Sequence, residues 1–259
     1  MPQKGSVGAS GDLAPLSYLA AAIAGFDEAE VMYQGQRMSA PQAITKANIG
    51  PVKFDLKAKD ASALINGCTA SLAVAVLVAN DARNLLTDAC LSLGLTLEAM
   101  RAEMAAFDDR IQQARPHAGQ IKTAAIIRNL LSGSTRTTHE ARSVQFPEEL
   151  RRTDIPYTAR IQDVYSLRCS PQVYGPVFDA LDYIDNIVDK EINSATDNPL
   201  IFGKQGGGFE IISGGNFHGQ YLAQAMDLLA MAITDLGSIC ERRVCLLYTS
   251  DAADDLLCV

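Results

Sequence analysis

Residues 5–12 read GSVGASGD and place three glycines at three-residue spacing. Two familiar glycine-rich loops bind phosphate: GxGxxG after a strand, and GxxxxGK followed by Ser or Thr. This loop reads GxxGxxG, has no strand-like run before it and lacks the lysine at the required place. Phosphate binding is therefore disfavoured, and the glycines need another explanation.

The tripeptide Ala9-Ser10-Gly11 can undergo a chemistry of its own. If the backbone nitrogen of Gly11 attacks the carbonyl carbon of Ala9, a five-membered ring closes. Loss of two water molecules, one of which carries the Ser10 hydroxyl, then leaves an electrophilic methylidene. Glycine permits the close backbone approach, and alanine crowds the attacked carbonyl least. Average composition produces this tripeptide by chance about 0.1 times in such a chain, so its surroundings must decide.

Other polar clusters stand out in the predicted loops. The segments 193–199 and 213–219 are rich in Asn, Asp, Ser and Gly, which are residues that commonly cap helices and form turns. Gln162, Tyr165 and Arg168 follow one another at three-residue steps, so one helical turn would present an amide, a phenol and a guanidinium together. Such a trio can bind a carboxylate.

These motifs together resemble those of the aromatic amino acid ammonia-lyases, over about residues 1–244. The match begins with GSVGASGDLAPL at 5–16. Five more motifs follow in the family's order: LING at 64–67, QDVYSLRC at 162–169, EINSATDNPL at 191–200, GGNFHG at 214–219 and ERR at 241–243. The resemblance implies that Ala9, Ser10 and Gly11 form the prosthetic group 4-methylidene-imidazole-5-one (MIO). It implies neither a metal nor a diffusible cofactor.

Site roles follow from the same resemblance. Asn66 is expected beside the MIO ring and the substrate amine, and Phe217 is expected to pack on that ring. Arg168 is expected to pair with the substrate carboxylate, which suits a planar two-pronged cation. Asp12 is expected to help hold the MIO loop. The expected catalytic residues are Ala9, Ser10, Gly11, Asn66, Tyr165 and Phe217, and the expected substrate-binding residues are Gln162, Arg168, Asn198 and His218.

The implied reaction is the non-oxidative deamination of an aromatic amino acid. Within the family, the wording of 191–198, 217–219 and 241–243 is most like that of members acting on L-histidine, which give trans-urocanate and ammonia. Tyr174 stands where those members commonly have histidine. Phenylalanine or tyrosine ammonia-lyases and aminomutases therefore remain the alternative.

The predicted fold is all-α, with a long-helix bundle core of the ammonia-lyase type, the MIO loop and short irregular or β segments. Alanine- and leucine-rich stretches and apolar periodicity predict helices. The predicted helices are 17–25, 60–86, 95–107, 179–190 and 220–243, with a strand at 209–212 and loops at 1–16, 35–58, 133–160 and 193–217.

Charge, cysteine content and hydropathy indicate which partners and which compartment to expect. The net charge of −8 disfavours nucleic acid, which would need a basic face. The six cysteines include no CxxC pair, which favours the reducing cytoplasm. The uncharged stretch 61–80 is long enough for a bilayer, but its polar residues favour a core helix over a membrane span.

Both ends depart from the family pattern. In the family the MIO loop lies more than a hundred residues into the chain, and the preceding part supplies a tyrosine base that is absent here. Residues 245–259, CLLYTSDAADDLLCV, resemble translated adapter DNA and are expected to be non-native. The expectation is a central helical region, 1–244, of a homotetrameric enzyme. The alternative of another class is a non-catalytic fragment.

Overall fold

The computed structural model describes residues 11–143 and 161–248. Helices dominate these residues, which confirms the predicted all-α class. The helices are α1 Leu13–Ile23, α2 Ala40–Ala47, α3 Asp60–Ile65, α4 Thr69–Ala99, α5 Asp109–Ala114, α6 Ala118–Leu130, α7 His139–Arg142, α8 Tyr165–Arg168, α9 Ser170–Ile192 and α10 Gln220–Tyr248. The strands are β1 Glu30–Tyr33, β2 Gln36–Ser39, β3 Leu200–Gly203 and β4 Phe209–Ile212, and a 3₁₀ turn spans Met104–Phe107.

The chain groups into two compact units. Unit 1 comprises Met1–Leu77 and Asn186–Gln224, and unit 2 comprises Val78–Asp185 and Ala225–Val259. The expected boundary at residue 244 stays a prediction. Residue 244 lies within α10, and residues 249–259 are outside the described part of the chain.

Unit 1 contains two antiparallel hairpins. In the first, Glu30 of β1 faces Ser39 of β2, and the connecting residues Gln34 and Gly35 have φ of 49° and 76°, as a tight primed turn requires. In the second, β3 pairs with β4, which confirms the predicted strand at 209–212. The loop predicted at 35–58 is wrong in part, because β2 and α2 occupy 36–47. These elements are too short for periodicity to distinguish them from loop.

The predicted continuous helix 60–86 is also wrong, because the chain breaks between α3 and α4. Asn66 is extended, with φ −95° and ψ 106°, and Gly67 has φ 146°. Asn66 is therefore a loop residue at a helix junction rather than an amide within an apolar helix. The break frees its side chain from the constraints of a helix face.

Unit 2 packs around one face of α4. Its buried side chains include Ala82, Leu86, Leu93 and Leu97, at the spacing of a single helical stripe. The predicted helix 95–107 is wrong beyond residue 99. Arg101 takes a left-handed φ of 49°, and only a 3₁₀ turn follows.

The backbones of α6 and α9 approach each other closely at two glycines of unit 2. A Cβ placed on Gly119 would lie 2.0 Å from the carbonyl oxygen of Gly175, and one on Gly175 would lie 2.6 Å from the nitrogen of Gln120. Only glycine fits at this crossing.

The long helices predicted at 179–190 and 220–243 are confirmed as parts of α9 and α10. Among the described residues, α10 is long and apolar enough by composition to cross a membrane, with 28% of its most apolar window buried. Core helices of soluble proteins meet the same criterion, so this feature is weak support for a membrane span.

Candidate active site

The described end of the predicted MIO loop lies against the α3–α4 junction in unit 1. Gly11 and Gly67 form an isolated parallel bridge, and the Asp12 N–H donates to the Gly67 carbonyl at 2.8 Å. Gly11 has φ 90°, and a Cβ there would lie 2.0 Å from the Gly67 oxygen. The position therefore requires glycine. The other two residues of the tripeptide, Ala9 and Ser10, lie outside the described residues.

Asp12 fastens this loop to the start of α4. Its buried carboxylate accepts hydrogen bonds from the Ser71 backbone nitrogen at 2.5 Å and from the Ser71 hydroxyl at 2.7 Å. A carboxylate bonded to the first turn satisfies a backbone donor and complements the positive end of the helix. The end of the tripeptide is thus tied to a long helix, in keeping with the role expected for Asp12.

The Asn66 side chain points at Asp197. Its Nδ2 donates to Asp197 Oδ1 at 3.0 Å, and Lys59 Nζ forms an ion pair with Asp197 Oδ2 at 2.5 Å. Burial alone raises the pKa of Asp197. Hydrogen bonds from Lys59, the Asn198 backbone and Asn66 outweigh that effect, so the pKa lies below its ordinary value of 3.8. The carboxyl is therefore ionised at neutral pH.

Phe217 is held near the same junction through Cys68. The Cys68 thiol donates to the Phe217 carbonyl oxygen at 3.5 Å. Burial, followed by the negative charges of Asp12 and Glu191, raises the pKa of this thiol, which keeps it a donor. Gly11 and Phe217 therefore contact Gly67 and Cys68, the two residues that directly follow Asn66.

Asn198 and His218 make local backbone contacts. Asn198 Oδ1 accepts from the Gly214 nitrogen at 2.7 Å and from the Ser213 hydroxyl at 3.1 Å. His218 Nδ1 accepts from the Gln220 nitrogen at 3.2 Å, at the start of α10. These contacts are of the helix-capping and turn type that the composition of both segments suggested.

The Gln162–Arg168 trio lies in unit 2 and is only partly on a helix. The Arg168 guanidinium lies over the Tyr165 ring, 4.6 Å from its centroid, and Arg168 Nε donates to the Asp163 carbonyl at 2.7 Å. Helix α8 begins at Tyr165, so exposed Gln162 lies in the bend before it rather than on the same turn. The phenol and guanidinium are together as the spacing predicted.

A buried cluster that sequence reasoning missed supports this turn. Tyr174, on α9, and Arg243, on α10, are hydrogen-bonded to each other, and Arg243 also donates to the Ser166 carbonyl at 3.4 Å. Tyr174 donates to the Ala89 carbonyl at 3.3 Å, and burial raises the pKa of its phenol well above the ordinary value. The sequence shows that residue 174 is a tyrosine, but it does not reveal that Arg243 is its hydrogen-bond partner.

No group of three or more potential metal ligands occurs among residues 11–143 and 161–248.

The sequence model of the aromatic amino acid lyases matches residues 1–257. The chain belongs to the aromatic amino acid lyase family. Histidine ammonia-lyase of Alkaliphilus oremlandii (strain OhILAs) is 43% identical over 244 residues, which are 94% of this chain and 44% of that relative. The chain therefore spans less than half of the length of the curated relatives it matches.

Solved structures of the aromatic amino acid lyase fold agree with this assignment. Tyrosine aminomutase from Streptomyces globisporus superposes with a TM-score of 0.77 at 37% identity, covering 92% of this chain and 44% of that one. Histidine ammonia-lyase from Trypanosoma cruzi gives a TM-score of 0.73 at 33% identity, covering 92% and 40%.

Proposed function

We propose that this chain forms the MIO-bearing part of an enzyme that deaminates L-histidine to trans-urocanate and ammonia. The observation that carries the proposal is the contact of Gly11 with Gly67, next to Asn66. It ties the end of the tripeptide to the asparagine that the family resemblance assigns to catalysis. The 43% identical histidine ammonia-lyase supports histidine as the substrate.

The described residues fit an MIO group formed from Ala9, Ser10 and Gly11. Gly11 has the left-handed φ and the close backbone neighbour that exclude any other residue type. Once formed, the group supplies an electrophile that makes the substrate's amine a good leaving group. Asp12 anchors the end of the loop to α4, and neighbouring Asn66 presents an amide.

The remaining roles are assigned to this chain's own side chains. Arg168 binds the substrate carboxylate. Its Nε donates to the Asp163 carbonyl and its plane is held over Tyr165, so the guanidinium is fixed in orientation for a two-pronged contact. Tyr165 and Gln162 contact the amine and ring side of the substrate. Phe217 packs on the prosthetic group, and Asn198 and His218 belong to the surrounding pocket.

Phenylalanine or tyrosine as substrate is the second candidate, and the likeness to tyrosine aminomutase favours it. Tyr174 is completely buried and bonded to Arg243, so its difference from histidine concerns packing rather than substrate contact.

Assembly and location belong to the same proposal. We place the enzyme in the cytoplasm as a homotetramer whose subunits cover apolar side chains that the described chain leaves exposed. Val74 and Leu77 of unit 1 and Leu95 of unit 2, all on α4, are examples at 57%, 67% and 73% exposure. The 259-residue chain alone is then a poor catalyst.

The test compares the 259-residue chain with a longer version from the same source. Near-ultraviolet absorbance reports the MIO ring, and product assays distinguish urocanate from cinnamate and coumarate. We expect absorbance and urocanate in the longer form, and Ser10→Ala should abolish both. Cinnamate or coumarate in place of urocanate would contradict the histidine assignment. Full turnover by Ser10→Ala would contradict the MIO assignment.

A further inference from the structure

Three polar side chains of unit 1 form a chain of contacts that ends at Asn66. We propose that Lys59 and Asp197 are positioning residues that fix the direction of the Asn66 amide, so that its carbonyl oxygen faces the substrate amine. This inference rests on the proposed function, because it concerns how Asn66 serves that reaction.

Lys59 is fully engaged by three acceptors. Its ammonium lies 2.5 Å from Asp197 Oδ2, 3.1 Å from the Asn198 carbonyl and 3.1 Å from the Ser62 hydroxyl. An ammonium has three N–H donors, so these contacts use them all. Lys59 precedes α3, and the side-chain contacts hold it against residues 197–198.

Asp197 divides its two oxygens between two partners. Oδ2 takes Lys59, and Oδ1 takes Asn66 Nδ2 at 3.0 Å. An ionised carboxylate only accepts hydrogen bonds, so the amide group facing it must be the NH₂ and not the carbonyl. The charge of Asp197, maintained by Lys59, therefore determines which way the amide points.

The opposite end of the Asn66 side chain is an acceptor. Among the described residues Asn66 Oδ1 has no hydrogen-bond partner, whereas Nδ2 is engaged. A substrate amine carries N–H donors, and an acceptor is the group that can bind it. A reversed Asn66 amide would place its own N–H groups against those of the substrate amine, and the hydrogen bond would be lost.

The Lys59–Asp197 pair differs from the ordinary surface pairs of unit 1. Its side chains are 31% and 14% exposed, whereas those of the Lys53–Asp27 pair at 2.7 Å are 63% and 69% exposed. Exposed pairs contribute little because water and salt screen them. Lys53→Met therefore serves as a matched control for Lys59→Met.

The first test uses whichever form deaminates histidine, and varies Asp197 and Asn66 together. Asp197→Asn keeps the shape but can both donate and accept, so it permits the reversed amide. We expect kcat to fall about tenfold or more, the cost of one misdirected hydrogen bond, together with a rise in KM because the lost acceptor also binds the substrate amine, and with the MIO absorbance retained.

The double-mutant cycle shows whether Asp197 acts through Asn66. In an Asn66→Ala background, Asp197→Asn should lower kcat by less than about twofold further. An undiminished loss in that background would mean that Asp197 acts independently, and the proposal would be wrong. Unchanged kcat in the single Asp197→Asn variant would refute it as well.

The Lys59 series decides the matter if Asp197→Asn does not fold. Lys59→Met should lower kcat by several-fold, Lys59→Arg should restore part of it because it keeps a positive charge beside Asp197, and Lys53→Met should match the parent. Equal kcat values for Lys59→Met and Lys53→Met would overturn the proposal. Absence of any amino acid deamination by the parent enzyme would instead overturn the proposed function. The direction of the amide can then still be read from an atomic-resolution structure of the parent, in which an Asn66 carbonyl oxygen facing Asp197 would overturn the proposal.

Discussion

The hydroxyl of Tyr174 accepts a hydrogen bond from the guanidinium of Arg243, and both side chains are buried in unit 2. The same guanidinium reaches the Ser166 carbonyl within the α8 turn that carries Tyr165 and Arg168. The interior of unit 2 therefore supports the segment to which carboxylate binding is assigned, without itself offering a surface to the substrate.

Tyr174→Phe should destabilise the protein by about 1–3 kcal/mol, because it leaves the buried Arg243 and the Ala89 carbonyl each short of one partner. Urea unfolding measures this loss. Tyr174→His tests specificity, and we expect the ratio of turnover on histidine to turnover on tyrosine to change less than about twofold. A switch of preferred substrate would show that this residue reaches the pocket.

Asp12→Ala should destabilise the protein by about 1–2 kcal/mol, since it removes the acceptor for the first turn of α4. It should also reduce the MIO absorbance, because the end of the tripeptide is no longer fastened. Asp12→Asn keeps an acceptor and is the matched control with a smaller loss. Equal unfolding free energies for the parent and Asp12→Ala would contradict the capping role.

Gly175→Ala should destabilise unit 2 by about 3 kcal/mol or more, because its Cβ would lie 2.6 Å from the backbone of α6. Gly94→Ala is the control. Gly94 is also helical and buried, but a Cβ there would meet only Leu130 at 3.7 Å, so the variant should be neutral or up to about 1 kcal/mol more stable. Thermal unfolding of both variants tests the close crossing.

Acid should remove the stability that Asp197 contributes. Its folded pKa is lowered, so the contribution is present above the ordinary value of 3.8 and is lost as pH falls through the folded pKa. Asp197→Asn should therefore be less stable than the parent at pH 7, and the difference should shrink below pH 3.8. A difference that stays constant with pH would exclude an ionic origin.

Much of this fold and site follows from local sequence. Apolar periodicity located α9 and α10, and the residue types needed for ring closure single out Ala9-Ser10-Gly11 as the proposed MIO tripeptide. The break between α3 and α4 falls at Asn66-Gly67, a dipeptide that marks turns, but the long uncharged run around it favoured one continuous helix. The cap that Asp12 provides for α4 from 59 residues away has no local signal.

The roles proposed for Lys59 and Asp197 also depend on contacts between residues far apart in the chain. Lys59 and Asp197 appear in sequence as ordinary charged residues, and their meaning comes from contacts with Asn198 and Asn66 over separations of 139 and 131 residues. Family wording assigns Asn66 to the site, but only tertiary structure shows which group faces its amide. Composition and spacing carry no information on such long-range pairs.

Arg168→Lys should weaken substrate binding by about 1.5–3 kcal/mol, which appears as a tenfold to hundredfold higher KM with a smaller change in kcat. Lysine is a point donor and cannot present two parallel N–H groups to a carboxylate, nor lie flat on Tyr165 as the guanidinium does. Steady-state kinetics on histidine provide the measurement.

Arg128→Lys is the matched control for this variant. Arg128 is also an arginine of unit 2 that donates to a backbone carbonyl, that of Phe107 at 2.6 Å, but it has no assigned role in binding. Its replacement should leave KM unchanged. Similar KM values for Arg168→Lys and Arg128→Lys would show that Arg168 holds α8 together without touching the substrate. The carboxylate would then have to be bound by another cation.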